Sequence, residues 1–212
     1  MLDIVLPCLD EARALPWVLS RIPTGARAIV VDNGSTDGSA DIARERGATV
    51  VPCRTRGYGA ACHAGLLAAS SDLVAFCDCD TSLDPADALR LAAVDADLVV
   101  GRRRPTTWTA WPLPARLANH ELARRVRRRT GAATLRDVGP LRVGPRERLI
   151  ALGIADRRSG YPVETVVRAA DAGWRIAQVD VAYFPRTGRS KVTGTWSGMA
   201  TAVRDMNAVL GP

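Results

Sequence analysis

The chain has 212 residues, of which 47% are hydrophobic and 24% charged, values typical of a globular domain with a sizeable core. No apolar run approaches the roughly 18–20 residues that cross a bilayer, and the N-terminus resembles no secretory signal. The five cysteines form no C-x-x-C pair, so we expect free thiols in the cytoplasm. A zinc site made of Cys62, His63, Cys77 and Cys79 is the alternative.

The net charge of +7 is concentrated in one segment. Residues 1–100 hold 8 basic and 14 acidic residues, whereas residues 101–148 hold 13 arginines and 3 acids. This segment suits an anionic membrane surface, with Trp108, Trp111 and Leu113 entering the interface. We do not expect nucleic acid as a partner, because the aromatic residues are not interleaved with the basic ones as stacking platforms. A solvated basic face with tryptophans in the core is the structural alternative.

Short apolar runs alternate with amphipathic stretches along the chain. The runs predict strands at 3–7, 28–32, 49–52, 73–78 and 98–101, and the stretches between them predict helices at 11–21, 39–47, 59–70 and 85–94. After a loop rich in Pro and Trp, the pattern predicts a helix at 115–129, a strand-like run at 137–144, a helix at 162–172, a strand at 175–183 and a helix after Gly194. This order predicts one α/β domain with a mostly parallel central sheet and helices on both faces.

Polar residues follow each of the first four predicted strands. Because parallel sheets bind ligands outside the carboxyl ends of their strands, we expect a binding site along this edge. The candidate residues, in chain order, are Pro7, Cys8, Leu9, Asp10, Glu11, Asp32, Gly34, Arg56, Gly57, Asp78, Cys79 and Asp80.

The strongest local signal is Asp78-Cys79-Asp80. Two carboxylates spaced in this way at a strand end can reach one divalent cation. Mg²⁺ and Mn²⁺ prefer oxygen ligands and complete their coordination with water and substrate phosphates. A turn with helix-capping acids is the alternative, because Asp84-Pro85 lies just beyond.

Two other strand ends suit a nucleotide. Asp32 can accept hydrogen bonds from a base or a ribose. Gly57 and Gly59 open a predicted helix, where glycines permit a phosphate or sugar to approach closely. A dinucleotide site has little support, because Cys62 occupies the last position of the G-x-G-x-x-G pattern.

Six segments occur in order along the chain: VLPCLDEA, VVDNGSTDGSADIA, RGYGAACHAG, FCDCD, DVGPLRV and VETVVRAADAGWRI continuing to PRTGRSKVTGT. Together they resemble the family 2 glycosyltransferases of the GT-A fold, close to the dolichyl- or polyprenyl-phosphate sugar synthases. The resemblance implies inverting transfer of a sugar from a UDP- or GDP-linked donor, with Mg²⁺ or Mn²⁺ on Asp78 and Asp80. It implies a nucleotide-sugar half at 1–101 and an acceptor half at 102–212. The phosphate contacts that it implies are Arg116, Arg142, Arg186 and Lys191.

The sequence departs from the family pattern at three places. Asn33 stands where a second acid is usual, Cys79 occupies the middle of the D-x-D, and Gly139-Pro140-Leu141-Arg142 replaces S-G-F-R. The last of these departures weakens the assignment of the acceptor site.

The acceptor decides whether the reaction needs a general base. A hydroxyl acceptor requires one, for which Asp137 and Glu164 are candidates, although either acid also suits a purely structural role. A phosphate acceptor is already anionic and needs arginines to position it. We expect a polyprenyl phosphate reached from the inner face of the membrane. A small soluble acceptor is one alternative, and a non-catalytic binding module with a basic surface is another.

Overall fold

The computed structural model describes residues 1–188, 204–206 and 208–210, and the predicted alternation of strands and helices appears in it. The strands are β1 (Leu2–Cys8), β2 (Ala26–Asp32), β3 (Thr49–Pro52), β4 (Leu73–Phe76), β5 (Leu98–Pro105), β6 (Arg142–Pro145) and β7 (Ile176–Tyr183). The helices are α1 (Leu15–Ser20), α2 (Ser39–Glu45), α3 (Tyr58–Ala68), α4 (Asp87–Ala92), α5 (Leu113–Thr130), α6 (Arg146–Ala151) and α7 (Tyr161–Asp171).

The seven strands form one sheet in the order β3-β2-β1-β4-β6-β5-β7. Only β6 is antiparallel to its neighbours β4 and β5, and the other pairings are parallel. The predicted mostly parallel sheet is therefore confirmed. The carboxyl ends of β1, β2, β4, β5 and β7 consequently lie at the same edge of the sheet.

Helices cover both faces of the sheet, as predicted. In β1, Ile4 and Leu6 face a core completed by α1, α2 and α4, whereas Val5 faces a second core completed by α3, α5 and α7. Each fully buried aliphatic side chain of this kind contributes about 1.5–3 kcal/mol. Two buried faces explain why the strands read as continuous apolar runs rather than as alternating ones.

The second half of the chain differs most from the prediction. β5 continues four residues into the predicted loop, because residues 102–105 pair with residues 180–183 of β7. Helix α6 was not predicted. The predicted strand at 137–144 begins only at Arg142, as β6. Before it, the chain at Gly139 passes so close to β5 that a side-chain carbon there would lie 2.1 Å from the carbonyl oxygen of Gly101.

Three simpler expectations concern the described residues. All five cysteines are free thiols, and no group of three or more His, Cys, Asp or Glu side chains in the described part is placed to hold a metal. No described helix is long and apolar enough to span a bilayer. Most of the predicted C-terminal helix and Lys191 lie outside the described residues.

Candidate active site

The D-x-D segment follows β4 at the expected edge of the sheet. Cys79 turns into the core, and Asp80 is buried, with its Oδ1 accepting the N–H of Ser82 at 2.9 Å. Asp78 is partly exposed. Burial raises the pKa of Asp78 to about 6, and the neighbouring charge of Asp80 adds to the rise. A bound cation would stabilise the negative charge that is disfavoured at Asp78.

A segment after β7 lies directly on the D-x-D. The N–H of Phe184 donates to the carbonyl of Ser82 at 2.9 Å, and the N–H of Thr187 donates to the carbonyl of Asp80 at 2.8 Å. The hydroxyls of Thr81 and Thr187 lie 2.9 Å apart. Thr81 has φ +68°, which is rare for a β-branched residue and marks a strained turn held by its surroundings.

Arg186, in the same segment, connects the loops after β1 and β4. Its Nη2 lies 2.8 Å from Oδ2 of Asp80 and 3.9 Å from Oε1 of Glu11. The family resemblance gave Arg186 a phosphate contact. The structure places the guanidinium on one of the two predicted metal-binding carboxylates.

Asp10 and Asp32 meet at the loop that follows β2. The Oδ1 of Asp10 accepts the N–H of Thr36 at 2.8 Å, and the N–H of Asp10 donates to Oγ of Ser35 at 2.9 Å. The Oδ1 of Asp32 accepts the N–H of Ser35 at 3.0 Å. Within the described residues, Oδ2 of Asp32 has no hydrogen bond, and its predicted contact with a ribose or base stays a prediction.

Asn33 shows why an amide replaces the usual acid. Its Nδ2 donates to the carbonyls of Cys53 at 3.0 Å and Thr55 at 2.7 Å, and its Oδ1 accepts the N–H of Gly57 at 2.9 Å. A carboxylate could not donate these two hydrogen bonds. Asn33 therefore fixes the loop after β3, a role that the sequence did not reveal.

Gly34 and Arg56 lie face to face at the end of this pocket. Gly34 adopts φ +90°, and a side-chain carbon there would lie 3.6 Å from Nη2 of Arg56. The exposed guanidinium thus covers the Gly34 backbone beside Asp32. The structure thus brings these two candidate residues together, and their contact with a nucleotide stays a prediction.

Gly57 and Gly59 do not leave the start of α3 open to a phosphate. The N–H groups of Gly59 and Ala60 donate to the carbonyls of Arg158 and Arg157, at 2.9 and 2.8 Å. A side-chain carbon on Gly57 would lie 2.2 Å from the Arg157 carbonyl oxygen. The prediction that Gly57 contacts the nucleotide sugar is therefore corrected, because these glycines allow the loop at 157–158 to pack on the helix.

Asp137 is not placed to act as a general base. It is buried, and its Oδ2 accepts the Arg103 N–H at 2.7 Å and Nε–H at 3.0 Å, while its Oδ1 accepts from Nη2 at 2.7 Å. Arg103 also lies over the rings of Trp111 and Tyr183, at 4.1 and 5.4 Å. Asp137 thus anchors the end of β5, and this corrects its predicted catalytic role.

Glu164 is occupied in the same way. Its carboxylate accepts the N–H groups of Ala155 at 3.0 Å and Asp156 at 2.6 Å, and Arg168 pairs with it at 2.5 Å. Burial alone raises the pKa of Glu164, but these hydrogen bonds and the Arg168 charge lower it overall. A carboxylate with a lowered pKa is a weak base, so Glu164 is poorly suited to accept a proton. Its hydrogen bonds instead fix the loop before α7.

The predicted phosphate-binding cations differ in their exposure. Arg142 is fully buried over the Phe76 ring at 5.2 Å, and its guanidinium has no hydrogen-bond partner in the described part of the chain. The structure therefore does not place Arg142 where an acceptor could reach it. Arg116 lies partly exposed in the first turn of α5, so its predicted phosphate contact stays open.

Arg103 is the buried arginine whose role the sequence does not reveal. It lies in the basic segment that is predicted to suit a membrane surface, but its guanidinium pairs with the buried Asp137. Burial alone lowers the pKa of Arg103, and the Asp137 and Asp78 charges raise it overall. The alternation of a β-strand was the available signal, since it directs the middle residue of an Arg-Arg-Arg run away from its neighbours.

Comparison with known proteins adds three findings. The family model described as glycosyl transferase family 2 matches residues 3–146. The chain is 49% identical to an uncharacterised glycosyltransferase of Mycobacterium tuberculosis, over 98% of this chain and 96% of the relative. It is 30% identical to a dolichyl-phosphate hexose transferase of Haloferax volcanii, over 94% of this chain and 90% of the relative.

The same fold occurs in a solved structure, glucosyl-3-phosphoglycerate synthase of Mycobacterium tuberculosis in complex with Mn²⁺, UDP and glucosyl-3-phosphoglycerate. The TM-score is 0.75 at 24% identity, covering 99% of this chain and 78% of the synthase. At this identity the likeness shows the architecture alone.

Proposed function

The chain belongs to glycosyltransferase family 2, and from this membership we propose that it transfers a sugar from a UDP- or GDP-linked donor to a polyprenyl phosphate. In this proposal Asp78 and Asp80 hold Mg²⁺ or Mn²⁺. The observation that carries it is the gathering of acidic side chains at one edge of the sheet, those of Asp10, Glu11, Asp32, Asp78 and Asp80.

The acidic edge is the reason for expecting a metal. A nucleoside diphosphate is anionic, and carboxylates would repel it unless a cation lay between them. Asp78 and Asp80 supply hard oxygen ligands, and the rest of the coordination would come from water and phosphate oxygens. The solved synthase holds Mn²⁺ and UDP together, which supports this proposal.

The described side chains would divide the work as follows. Asp32 would accept hydrogen bonds from the base or ribose, with Arg56 and Gly34 beside it. When bound, the metal would stabilise the negative charge that develops on the leaving diphosphate. Arg186, the cation beside Asp80, would add to this stabilisation once the diphosphate is in place.

Both candidate bases already accept hydrogen bonds from the protein, and this favours a phosphate acceptor. Asp137 is bonded to Arg103, and Glu164 is bonded to two backbone amides and Arg168. An anionic phosphate oxygen needs no deprotonation and can attack once arginine has positioned it. Arg116 is the described cation that we assign to this role, together with Lys191 beyond the described part.

An exposed apolar surface next to the site favours a lipid acceptor. Trp108, Leu113 and Leu117 are 91%, 63% and 61% exposed, and the last two share one face of α5. They follow the carboxyl end of β5, at the same edge of the sheet as Asp78. Trp111, which was predicted to enter the membrane, instead packs on Tyr183 with ring centroids 5.7 Å apart.

Further along α5 the surface becomes basic. Arg124, Arg127, Arg128 and Arg136 line an open cleft of about 460 Å³. Arg124 and Arg128 lie 7 and 11 residues after Leu117, on the same face of the helix. Glu121 pairs with Arg124 and offsets one of these charges. Each remaining arginine near an anionic leaflet contributes about 1 kcal/mol, so this face suits peripheral binding to the membrane.

The decisive experiment is a transfer assay with labelled UDP- and GDP-sugars, Mn²⁺, and polyprenyl phosphate in vesicles. We expect the label in the organic phase, and we expect none there without the metal. Label that moves instead to a soluble acceptor such as phosphoglyceric acid would contradict the lipid proposal. Failure of any nucleoside diphosphate to bind would contradict the donor proposal and favour a non-catalytic binding module.

A flotation assay tests the membrane surface separately. Wild-type protein should float with vesicles that contain phosphatidylglycerol, and the Trp108→Ser/Leu113→Ser variant should float much less. Leu67→Ser is the matched control, because Leu67 is 52% exposed on α3, outside this surface. Equal flotation of all three proteins would contradict the role of this surface.

A further inference from the structure

The ion pair between Arg186 and Asp80 places a cation on an oxygen that the proposed metal would need. The Nη2–Oδ2 distance is 2.8 Å, Asp80 is buried, and 31% of the Arg186 side chain is exposed. A guanidinium and a divalent cation on the same carboxylate would repel each other, and low exposure strengthens that repulsion. The two cations therefore compete for Asp80.

The position of Arg186 is set by its backbone neighbours rather than by its side chain. Phe184 and Thr187, on either side of it, donate backbone hydrogen bonds to Ser82 and Asp80. A change of the Arg186 side chain should therefore leave the segment docked. Its effects on ligand binding can be attributed to the guanidinium itself.

We propose that Arg186 is the counter-charge of Asp80 in the metal-free protein and exchanges this partner for the donor's diphosphate when metal and nucleotide bind. The inference rests on the proposed function and adds a coupling between the two ligands. Nε of Arg186 is buried with no hydrogen-bond partner among the described residues, so the guanidinium keeps donor capacity for a further acceptor. A guanidinium suits phosphate oxygens because it can donate two parallel hydrogen bonds.

The exchange predicts opposite effects on the two ligands. Metal that binds alone must displace Arg186 from Asp80 and leave it only the more distant carboxylate of Glu11, 3.9 Å away, whereas metal that binds with a diphosphate offers the guanidinium a new close partner. Metal and nucleotide should therefore each increase the affinity for the other. Without the guanidinium, metal alone should bind more tightly and the nucleotide more weakly.

The test measures Mn²⁺ binding by electron paramagnetic resonance, which detects free Mn²⁺ without any turnover. We expect Arg186→Gln to bind Mn²⁺ alone about tenfold more tightly than wild type, equivalent to about 1.4 kcal/mol. With saturating Mn²⁺, calorimetry should show that it binds UDP or GDP about tenfold more weakly. Arg186→Lys, which keeps the charge, should bind Mn²⁺ alone as the wild type does.

Two further variants separate the possible failures. Arg104→Gln removes a charge that pairs with Asp180, away from Asp80, and should change neither affinity. Asp80→Asn should lose Mn²⁺ binding, and its failure to do so would contradict the proposed metal site itself. If Asp80→Asn loses Mn²⁺ but Arg186→Gln binds it no more tightly than wild type, the partner exchange alone is overturned.

Discussion

The loops after β1, β2 and β4 and the residues after β5 use charge in opposite ways. The former gather more carboxylates than cations, and burial together with the charge of Asp80 raises the pKa of Asp78 to about 6. After β5, Arg103 and Asp137 neutralise each other inside a cage that includes Trp111. An excess of carboxylates over cations, called uncompensated charge below, therefore marks the proposed ligand site, and a one-to-one buried ion pair, called compensated charge, marks the scaffold that supports it.

The largest effect should come from removing a carboxylate at the uncompensated site. Asp80→Asn should lower metal-dependent sugar transfer about a thousandfold, or about 4 kcal/mol in the barrier, because it weakens the hold on the metal. Initial rates at saturating donor measure this effect. Asp87→Asn is the control, since Asp87 pairs with Arg90 on the surface and should keep its activity. A loss of activity below tenfold in Asp80→Asn would contradict the role of Asp80 as a metal ligand.

A change in the Arg103–Asp137 pair should affect stability more than activity. Asp137→Asn should lower the free energy of unfolding by about 3 kcal/mol, because it leaves the buried charge of Arg103 unpaired. Urea denaturation measures this change, and the Arg103→Leu/Asp137→Leu variant should recover part of it. Unchanged stability together with a large loss of kcat would instead restore Asp137 as a general base.

The stability of the loop after β3 should depend on Nδ2 of Asn33. Asn33→Asp should lose about 2 kcal/mol of unfolding free energy, because an aspartate leaves the carbonyls of Cys53 and Thr55 without their donor. Asn119→Asp is the matched control, since Oδ1 of Asn119 accepts hydrogen bonds from Arg103 and Val138, and an aspartate oxygen can still accept them. Similar losses in both variants would show that the added charge, not the lost donor, is responsible.

The smallest expected effect is a pH-dependent change in stability when the charge of Asp78 is removed. In the metal-free protein, Asp78→Asn should be more stable than wild type by about 1–2 kcal/mol at pH 8. The difference should vanish below about pH 4. Because the pKa of Asp78 is raised in the folded protein, wild type loses stability as the pH rises from the ordinary pKa of an aspartate through about 6. Paired urea titrations at several pH values measure this difference. A difference that does not depend on pH would contradict the assigned charge.

The strands, the helices on both faces and the edge that carries the D-x-D could be predicted from the sequence. These features depend on local patterns, in which apolar runs end in short polar motifs. The positions of Asp10, Asp32 and Asp80 follow directly from which strand each one ends.

The roles of Asp137, Glu164 and Arg142 could not be predicted in this way. Arg103 lies 34 residues before Asp137, and the burial of Arg142 depends on its pairing with Phe76 in another strand. A motif gives the type of a residue, whereas its partners depend on the register of distant strands. Glu164 lies near its partners in sequence, yet the loop conformation that directs their N–H groups toward it follows no pattern in the residues.

In the proposed function, the carboxylates after β4 bind a diphosphate only through a divalent cation. Thermal or urea denaturation with UDP or GDP, with and without Mn²⁺, tests it most directly. At a hundredfold excess over Kd we expect about 2.7 kcal/mol of added stability with Mn²⁺, and little with either ligand alone. Equal stabilisation by the nucleotide without metal, or full stabilisation of the Asp80→Asn variant, would contradict the account.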